Sequence, residues 1–375
     1  MKSSILNLLV FLPIVLLAAA ARADTVDYSK LSPGNFIETG SIHGPLDVSP
    51  DGKFIVTTFR NSVSIWNTVS CTRNLQIEAH LGAVNFLKFS PDGKFLYTGG
   101  DKRDNLVCKW SLTTGRRLQT FQHTHQITAI ALSGDGKYLA TATMDHSGFI
   151  WTTSDGQQVQ VLTDATFPIT SLAFTPDSSQ LYAGAAGRTI PFLAGMDMDP
   201  GERSNKGTFL SWNVADGTLS EKSDIPQATP AMEFSPDCKY LAVVLGTGVQ
   251  GFPEEFYGTS LRIWQTPLQS HDAPFLPVSR TVSSGMTYFD QRTDTTDPTG
   301  PIRWSPDGHL IAFQDFLWTG AKNVFKLANP KQRNPSSHIT FSADGHTLAY
   351  YAESAAQQDG GGERGTAGVQ IAKAP

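Results

Sequence analysis

Short apolar runs alternate with a recurring polar turn along most of the chain. Residues 49–53 read SPDGK and so do residues 90–94, and weaker copies begin at Ser133, Thr175, Ser235, Ser305 and Ser342. Apolar runs flank the copies, for example VNFLKF before a turn and FLYTG after it. Ser, Pro, Asp and Gly in this order favour a type I turn that ends with glycine in the left-handed region. Each copy therefore predicts a β-hairpin.

Tryptophan marks a third strand after most hairpins. Trp66, Trp110, Trp151 and Trp212 stand 24, 23, 24 and 23 residues before the next turn. Trp264 marks the fifth unit, Trp318 is assigned to the sixth, and Ala372 takes the tryptophan position in the seventh. Several of the seven turns lie 41 to 43 residues apart, close to the period of a four-stranded propeller blade.

These units predict an all-β fold, a closed seven-bladed β-propeller. Closure requires a strand for the last blade, and residues 35–40 stand at the offset where such a strand is expected. A strand from the start of the chain would then join both chain ends and cover an exposed sheet edge.

The best copies, residues 80–110 and 123–151, resemble the WD-repeat family of β-propellers. The resemblance covers almost the whole of residues 24–375. It implies a buried His–Ser/Thr–Asp–Trp network within a blade, which stabilises the fold and performs no chemistry. The matching residues are His80, Thr98, Asp104 and Trp110 in blade 2, and His123, Thr141, Asp145 and Trp151 in blade 3. The other five blades depart from this pattern, and no blade ends in a literal Trp-Asp.

Residues 1–23 have the parts of a secretory signal: a lysine near the start, an apolar run, and an Ala-x-Ala exit. A membrane anchor is the alternative, but the run is short for a span and contains Pro13. The expected mature chain, residues 24–375, is therefore secreted, with no membrane span after signal removal. The absence of Asn-x-Ser/Thr acceptors favours a bacterial periplasm over a eukaryotic secretory route, so the expected location is periplasmic or extracellular.

Composition excludes some functions. The formal net charge is −5 and becomes −7 once Lys2 and Arg22 leave with the signal, so no basic footprint indicates nucleic acid.

Three cysteines allow one disulfide or none. Two acidic loops, residues 195–202 and 289–300, lack the spacing of a calcium loop and are interpreted as solvated loops, with calcium as the alternative. No cofactor and no metal are expected.

Insertions interrupt the regular spacing in blades 4 and 5, at the junction of blades 5 and 6, and in blade 7. The interval from turn to tryptophan is 17 to 20 residues in blades 1–3, but 37 in blade 4 and 29 in blade 5. The family resemblance implies that all four insertions emerge on one face. Aromatic and charged side chains in these loops are the candidate binding residues: Arg188, Phe192, Asp197, Asp199, Arg203, Phe252, Glu254, Phe256, Tyr257, Tyr288, Phe289 and Arg292. Tolerated insertion without function is the alternative.

Two functions remain open at this point, and a purely structural envelope component is a third interpretation that the sequence does not distinguish from the first. The first is a non-catalytic scaffold that binds a protein or peptide on its insertion-rich face. The second is a lactonase- or lyase-like enzyme with its site at the entrance of the central channel, because propellers also host catalysis. Three His, Asp or Glu side chains that converge on one point would favour the enzyme. The sequence does not indicate an oligomeric state.

Overall fold

A computed structural model of the chain describes residues 32–39, 44–186, 207–225, 228–248, 257–265, 282–283, 302–313, 316–318, 324–326, 339–353 and 367–374. These residues form 28 strands in seven antiparallel sheets of four strands each. None of the described residues belongs to a helix long and apolar enough to cross a membrane. The predicted all-β propeller class is confirmed.

Six of the sheets consist of four strands that are consecutive in the chain. Blade 1 contains β2 (Leu46–Val48), β3 (Phe54–Phe59), β4 (Ser62–Asn67) and β5 (Arg73–Glu78). Blade 2 contains β6 (Val84–Phe89), β7 (Phe95–Gly100), β8 (Leu106–Ser111) and β9 (Arg117–Gln122). Blade 3 contains β10 (Ile127–Leu132), β11 (Tyr138–Thr143), β12 (Gly148–Thr152) and β13 (Gln158–Leu162).

The next three sheets follow the same order but differ more in strand length. Blade 4 contains β14 (Ile169–Phe174), β15 (Gln180–Ala186), β16 (Gly207–Asn213) and β17 (Leu219–Ile225). Blade 5 contains β18 (Ala228–Phe234), β19 (Tyr240–Gly248), β20 (Tyr257–Gln265) and β21 (Val282–Ser283). Blade 6 contains β22 (Arg303–Trp304), β23 (Ile311–Phe313), β24 (Phe316–Trp318) and β25 (Val324–Lys326).

The seventh sheet combines the two ends of the chain. It consists of β26 (Ile339–Phe341), β27 (Thr347–Glu353) and β28 (Ala367–Lys373), with β1 (Ser32–Glu38) as its outer strand. The register pairs Phe36 with Gln370 and Glu38 with Gly368. The strand begins three residues before the predicted residue 35, with a register shift between Pro33 and Phe36. Proline is acceptable there because an outer strand has one unpaired edge.

The first strands of the sheets surround a central channel. Each first strand contacts the first strand of the next blade, and β26 contacts β2, which closes the ring. Apolar side chains fill the space between adjacent sheets. The cluster between blades 3 and 4, for example, contains Ile150, Leu172, Leu181 and Trp212, all with less than a tenth of their surface exposed. Burial of such side chains is the main stabilising contribution to the ring.

The recurring turn has the same hydrogen bonds in every blade. In blade 1, Gly52 N donates to Ser49 O at 2.8 Å, and Ser49 Oγ donates to Asp51 Oδ1 at 2.8 Å. The Ser49 hydroxyl also accepts from Phe54 N at 2.9 Å. Gly52 has a φ of 67°, and Ser178 and Cys238 adopt φ of 60° and 59° at the same position in blades 4 and 5. The predicted turn is confirmed, and its serine and aspartate are satisfied locally.

The third-strand assignments are also confirmed by the register. Leu96 pairs with Trp110 in blade 2, and Leu348 pairs with Ala372 at the same position in blade 7. Trp318 lies on the third strand of blade 6. The three cysteines are free, so of the two alternatives the structure shows no disulfide.

Candidate functional site

The propeller has two distinct faces. We call the end that carries the seven SPDGK-like turns the turn face, and the opposite end the insertion face. Strands in a blade alternate in direction, so connections between second and third strands, and between one blade and the next, lie on the insertion face. The strand ends that flank the hairpin insertions are paired there: Ala186 with Gly207, Gly248 with Tyr257, and Glu353 with Ala367. The junction between β21 and β22 leaves from and returns to the same face.

Most of the predicted binding residues lie outside the described residues. These are Arg188, Phe192, Asp197, Asp199, Arg203, Phe252, Glu254, Phe256, Tyr288, Phe289 and Arg292. Tyr257 is described as the first residue of β20, where it pairs with Gly248 at the insertion face. The acidic stretches 195–202 and 289–300 also lie outside the described residues.

Sequence reasoning missed an apolar patch on the insertion face, over blades 1 and 2. Phe59 is 54% exposed and Leu81 is 76% exposed. The Arg60 guanidinium lies 5.3 Å from the centre of the Phe59 ring. Val84 N donates to Arg60 O at 2.8 Å, so the β3–β4 connection is bonded to the chain that follows Leu81. We call Phe59, Arg60 and Leu81 the Phe59 patch. In the sequence, this patch is indicated by two apolar residues, Phe59 and Leu81, that stand at short connections between strands.

A closed polar network ties together the insertion-face end of blade 2. His80 Nδ1 lies 2.9 Å from Asp104 Oδ2, and His80 Nε2 lies 2.8 Å from Thr98 Oγ1. Trp110 Nε1 donates to Thr98 Oγ1 at 2.9 Å. Leu81 N adds a further bond to Asp104 at 3.0 Å. The His80 and Asp104 side chains are almost fully enclosed. The structure thus joins all four residues singled out in this blade.

The corresponding network of blade 3 joins only three of its four residues. His123 Nε2 lies 2.8 Å from Thr141 Oγ1, and Trp151 Nε1 donates to Thr141 Oγ1 at 2.9 Å. Asp145 does not contact His123: its Oδ2 lies 3.1 Å from His125 Nδ1, and Thr143 donates to its Oδ1. His123 Nδ1 is buried with no partner among the described residues. The expected four-residue network is therefore wrong for Asp145.

Two features distinguish the blades here: glycine is replaced by threonine at one position, and the aspartate follows the network threonine by four residues in blade 3 instead of six in blade 2. Thr143 pairs with Ile127, and Gly100 pairs with Val84 at the same place in blade 2. A Cβ atom on Gly100 would come within 2.2 Å of Asp104 Oδ1 and 2.6 Å of His80 Nδ1. The closed network therefore requires glycine there. In blade 3 a threonine occupies that space, and its hydroxyl binds Asp145 instead.

The two rearranged groups have shifted pKa values. Burial lowers the pKa of His123 to about 4, because no carboxylate contacts its ring to favour the charged form. Burial acts to raise the pKa of Asp145, but the Thr143 hydrogen bond and the nearby His125 outweigh it and lower the pKa. His123 is thus neutral at pH 7, and Asp145 is ionised.

Comparison with known proteins agrees with this geometry. The family model of the WD domain, G-beta repeat, matches residues 70–111, 115–152 and 156–191, which include both networks. The chain is a WD-repeat β-propeller.

Curated relatives match parts of this WD-repeat chain. An uncharacterised WD repeat-containing protein of Synechocystis is 31% identical over 46% of this chain and 50% of its own length. Small ribosomal subunit protein RACK1y of Oryza sativa is 32% identical over 34% of this chain and 40% of its own. Eukaryotic translation initiation factor 3 subunit I of Aspergillus fumigatus is 29% identical over 36% of this chain and 40% of its own. The chain thus spans half or less of the length of these relatives.

Other WD-repeat blades keep fragments of the network. In blade 1, Trp66 Nε1 donates to Thr57 Oγ1 at 2.9 Å. In blade 4, Ala183 stands where the threonine is expected, and Trp212 Nε1 donates instead to Asp164 Oδ2 at 2.8 Å. The buried indole N–H therefore finds an acceptor even where the motif is lost, as buried polar groups usually do.

The central channel was the predicted location of the alternative, enzymatic site. Among the described residues, no group of three or more His, Cys, Asp or Glu side chains is arranged to hold a metal ion. The first strands bring two carboxylates to the channel, Asp47 from blade 1 and Glu233 from blade 5. Both already accept hydrogen bonds from the backbone of the following blade.

Proposed function

We propose that this WD-repeat propeller is a non-catalytic scaffold that binds a protein or peptide partner on its insertion face. One observation carries the proposal: all four interruptions of the repeat begin and end at strand ends on that face. Loops on a rigid scaffold are where recognition residues collect, because the strands fix their ends.

The Phe59 patch supports the same face. An exposed aromatic ring beside an arginine, with a leucine on the adjoining connection, has the composition of an interface anchor. Aromatic residues and arginine contribute disproportionately to binding when a partner excludes water from them. Two of the relatives carry names that make them subunits of assemblies, a small ribosomal subunit and an initiation factor. These names support protein partners as a class.

Export from the cytoplasm is part of the proposal. It rests on the lysine, apolar run and Ala-x-Ala exit of residues 1–23, which lie outside the described residues. If export is correct, intact-mass and N-terminal analysis of the protein from its native host gives a chain that starts at Asp24. A chain that retains residue 1 contradicts export by signal cleavage.

The scaffold function is tested by a matched pair of double variants. Phe59→Ala with Leu81→Ala removes the apolar patch from the insertion face. Leu118→Ala with Val161→Ala removes two side chains, each 50% exposed, from the outer strands of blades 2 and 3. All four are exposed, so both variants should melt as the parent does. Affinity capture from the native host, quantified by mass spectrometry, should lose its specific partner with the first variant only. Equal capture by both variants would refute the assignment of the face.

A further inference from the structure

The first strands place one residue each at the same level of the central channel. The position lies two residues before the turn serine or threonine in every blade, close to the turn face. We call these residues the axial ring; in blade order they are Asp47, Lys88, Ala131, Ala173, Glu233, Arg303 and Thr340. Four of the seven are charged, two of each sign, although this position lies in the interior of the ring of blades.

The two carboxylates of the axial ring are occupied by the channel wall. Asp47 Oδ2 accepts from Phe89 N at 2.9 Å, and its Oδ1 accepts from Thr340 Oγ1 at 3.0 Å. Glu233 Oε2 accepts from Trp304 N at 2.8 Å. Both backbone donors belong to the free edge of the next first strand, which needs an acceptor. The two carboxylates therefore already serve as acceptors for backbone N–H groups of the channel wall.

The two cations retain most of their donors. Arg303 Nη1 donates to Ile302 O at 3.0 Å, and its 3.7 Å distance from Glu233 Oε1 is too long for a hydrogen bond. The Lys88 ammonium forms no hydrogen bond or ion pair with another described residue, although its side chain is only partly exposed. Arginine carries five N–H donors and lysine three, and all but one of these eight donors have no hydrogen-bond acceptor among the described residues.

Lys88 and Arg303 influence each other across the channel. They stand on blades 2 and 6, which are separated by several blades in either direction around the ring. The pKa of Lys88 is lowered to about 8, because burial and the charge of Arg303 together outweigh the opposing charges of Asp47 and Glu233. Both residues belong to first strands, which contact one another around the ring, and both stand two residues before the turn serine, so they lie at one level of the central axis. Blades 3 and 4 contribute only the small, buried side chains of Ala131 and Ala173 to that level.

We propose that the axial ring binds a small oxyanion, a carboxylate or a phosphate, with Lys88 and Arg303 as its donors. The anion supplies acceptors for the donors of Lys88 and Arg303 that have none among the described residues. This site lies close to the turn face and is separate from the insertion face proposed for partner binding.

Calorimetric titration of the purified chain at pH 7 tests the proposal, with inorganic phosphate and acetate as separate probes. We expect saturable binding of at least one ion at one site per chain. Lys88→Met should weaken it at least tenfold. Lys94→Met removes the same charge from the exposed turn of the same blade and should leave binding unchanged. Saturable binding of neither ion, unchanged binding by K88M, or an equal loss in K94M would each overturn the proposal.

A second variant keeps the test decisive if K88M does not fold. Lys88→Arg preserves the positive charge above pH 9. A carboxylate does not change ionisation between pH 7 and 9, so acetate is the probe if it binds, and sulfate replaces it if phosphate alone binds. The affinity of the parent should fall across this range as Lys88 loses its proton, whereas that of K88R should stay constant. A parallel fall in both proteins would overturn the role of Lys88.

Discussion

The two faces of the propeller are held together in different ways. On the turn face, each hairpin is closed by a serine, or Thr175 in blade 4, and an aspartate two residues later, and the bonds are alike in all seven blades. On the insertion face, blade 2 uses a network that spans residues 80–110, blade 3 keeps part of it, and blade 4 replaces it with Asp164. A local turn depends on few residues, so the turn face stays uniform while the insertion face can differ from blade to blade.

The largest expected effect comes from the closed network of blade 2. Asp104→Ala leaves His80 Nδ1 and Leu81 N without their acceptor in an enclosed position. Unsatisfied buried groups should lower the free energy of unfolding by about 1–3 kcal/mol. Asp92→Ala, in the exposed turn of the same blade, should cost less than about 1 kcal/mol. Urea unfolding of both variants measures the difference, and equal losses would contradict the contrast between the faces.

The buried His123 should make stability depend on pH. Its pKa is about 4 in the folded chain and about 6.5 when unfolded, so the unfolded chain binds more protons between these values. The contribution of neutral His123 to stability is therefore fully present above pH 6.5 and is lost as the pH drops towards 4. The free energy of unfolding should be lower by about 1 kcal/mol at pH 5.5 than at pH 7. Urea unfolding at pH 7 and 5.5, for the parent and for His123→Gln, tests this. If the parent and the variant show the same pH dependence of stability, His123 is not its cause.

Asp145→Ala should lower the free energy of unfolding much less than Asp104→Ala does. Asp145 is a third exposed, and its partner His125 is more than half exposed. Such surface pairs contribute about 0–1 kcal/mol. The comparison uses the same urea unfolding at pH 7. A loss as large as that of D104A would mean that Asp145 contacts His123 after all.

Shortening the hairpin insertions should have the smallest effect on stability. Ala186 already pairs with Gly207, and Gly248 with Tyr257, so an Asn-Gly turn can replace residues 187–206 or 249–256 without moving a strand. Thermal melting should change by a few degrees at most, while partner capture is lost. A large drop in melting temperature would show that these segments stabilise the fold.

The fold could be predicted from the sequence because its signals are local and repeated. The turn, the apolar strands and the tryptophan spacing each depend on neighbouring residues, and seven copies reinforce one another. The closing strand was predicted approximately, since its bounds depend on pairing with β28 at the far end of the chain. The open network of blade 3 was not predicted, because it depends on Thr143 in place of a glycine and on a connection that brings Asp145 two residues closer to the network threonine. The axial ring was also missed, because its members are spread over 300 residues and meet only when the ring closes.

Hydrogen–deuterium exchange of the propeller, alone and in complex with its captured partner, tests the central claim most directly. We expect slower exchange in insertion-face connections, including residues 59–62 and 79–83, when the partner is bound. Exchange in the turns at residues 49–53 and 90–94 should not change. Protection that appears at those turns and spares the insertion-face connections would contradict the account.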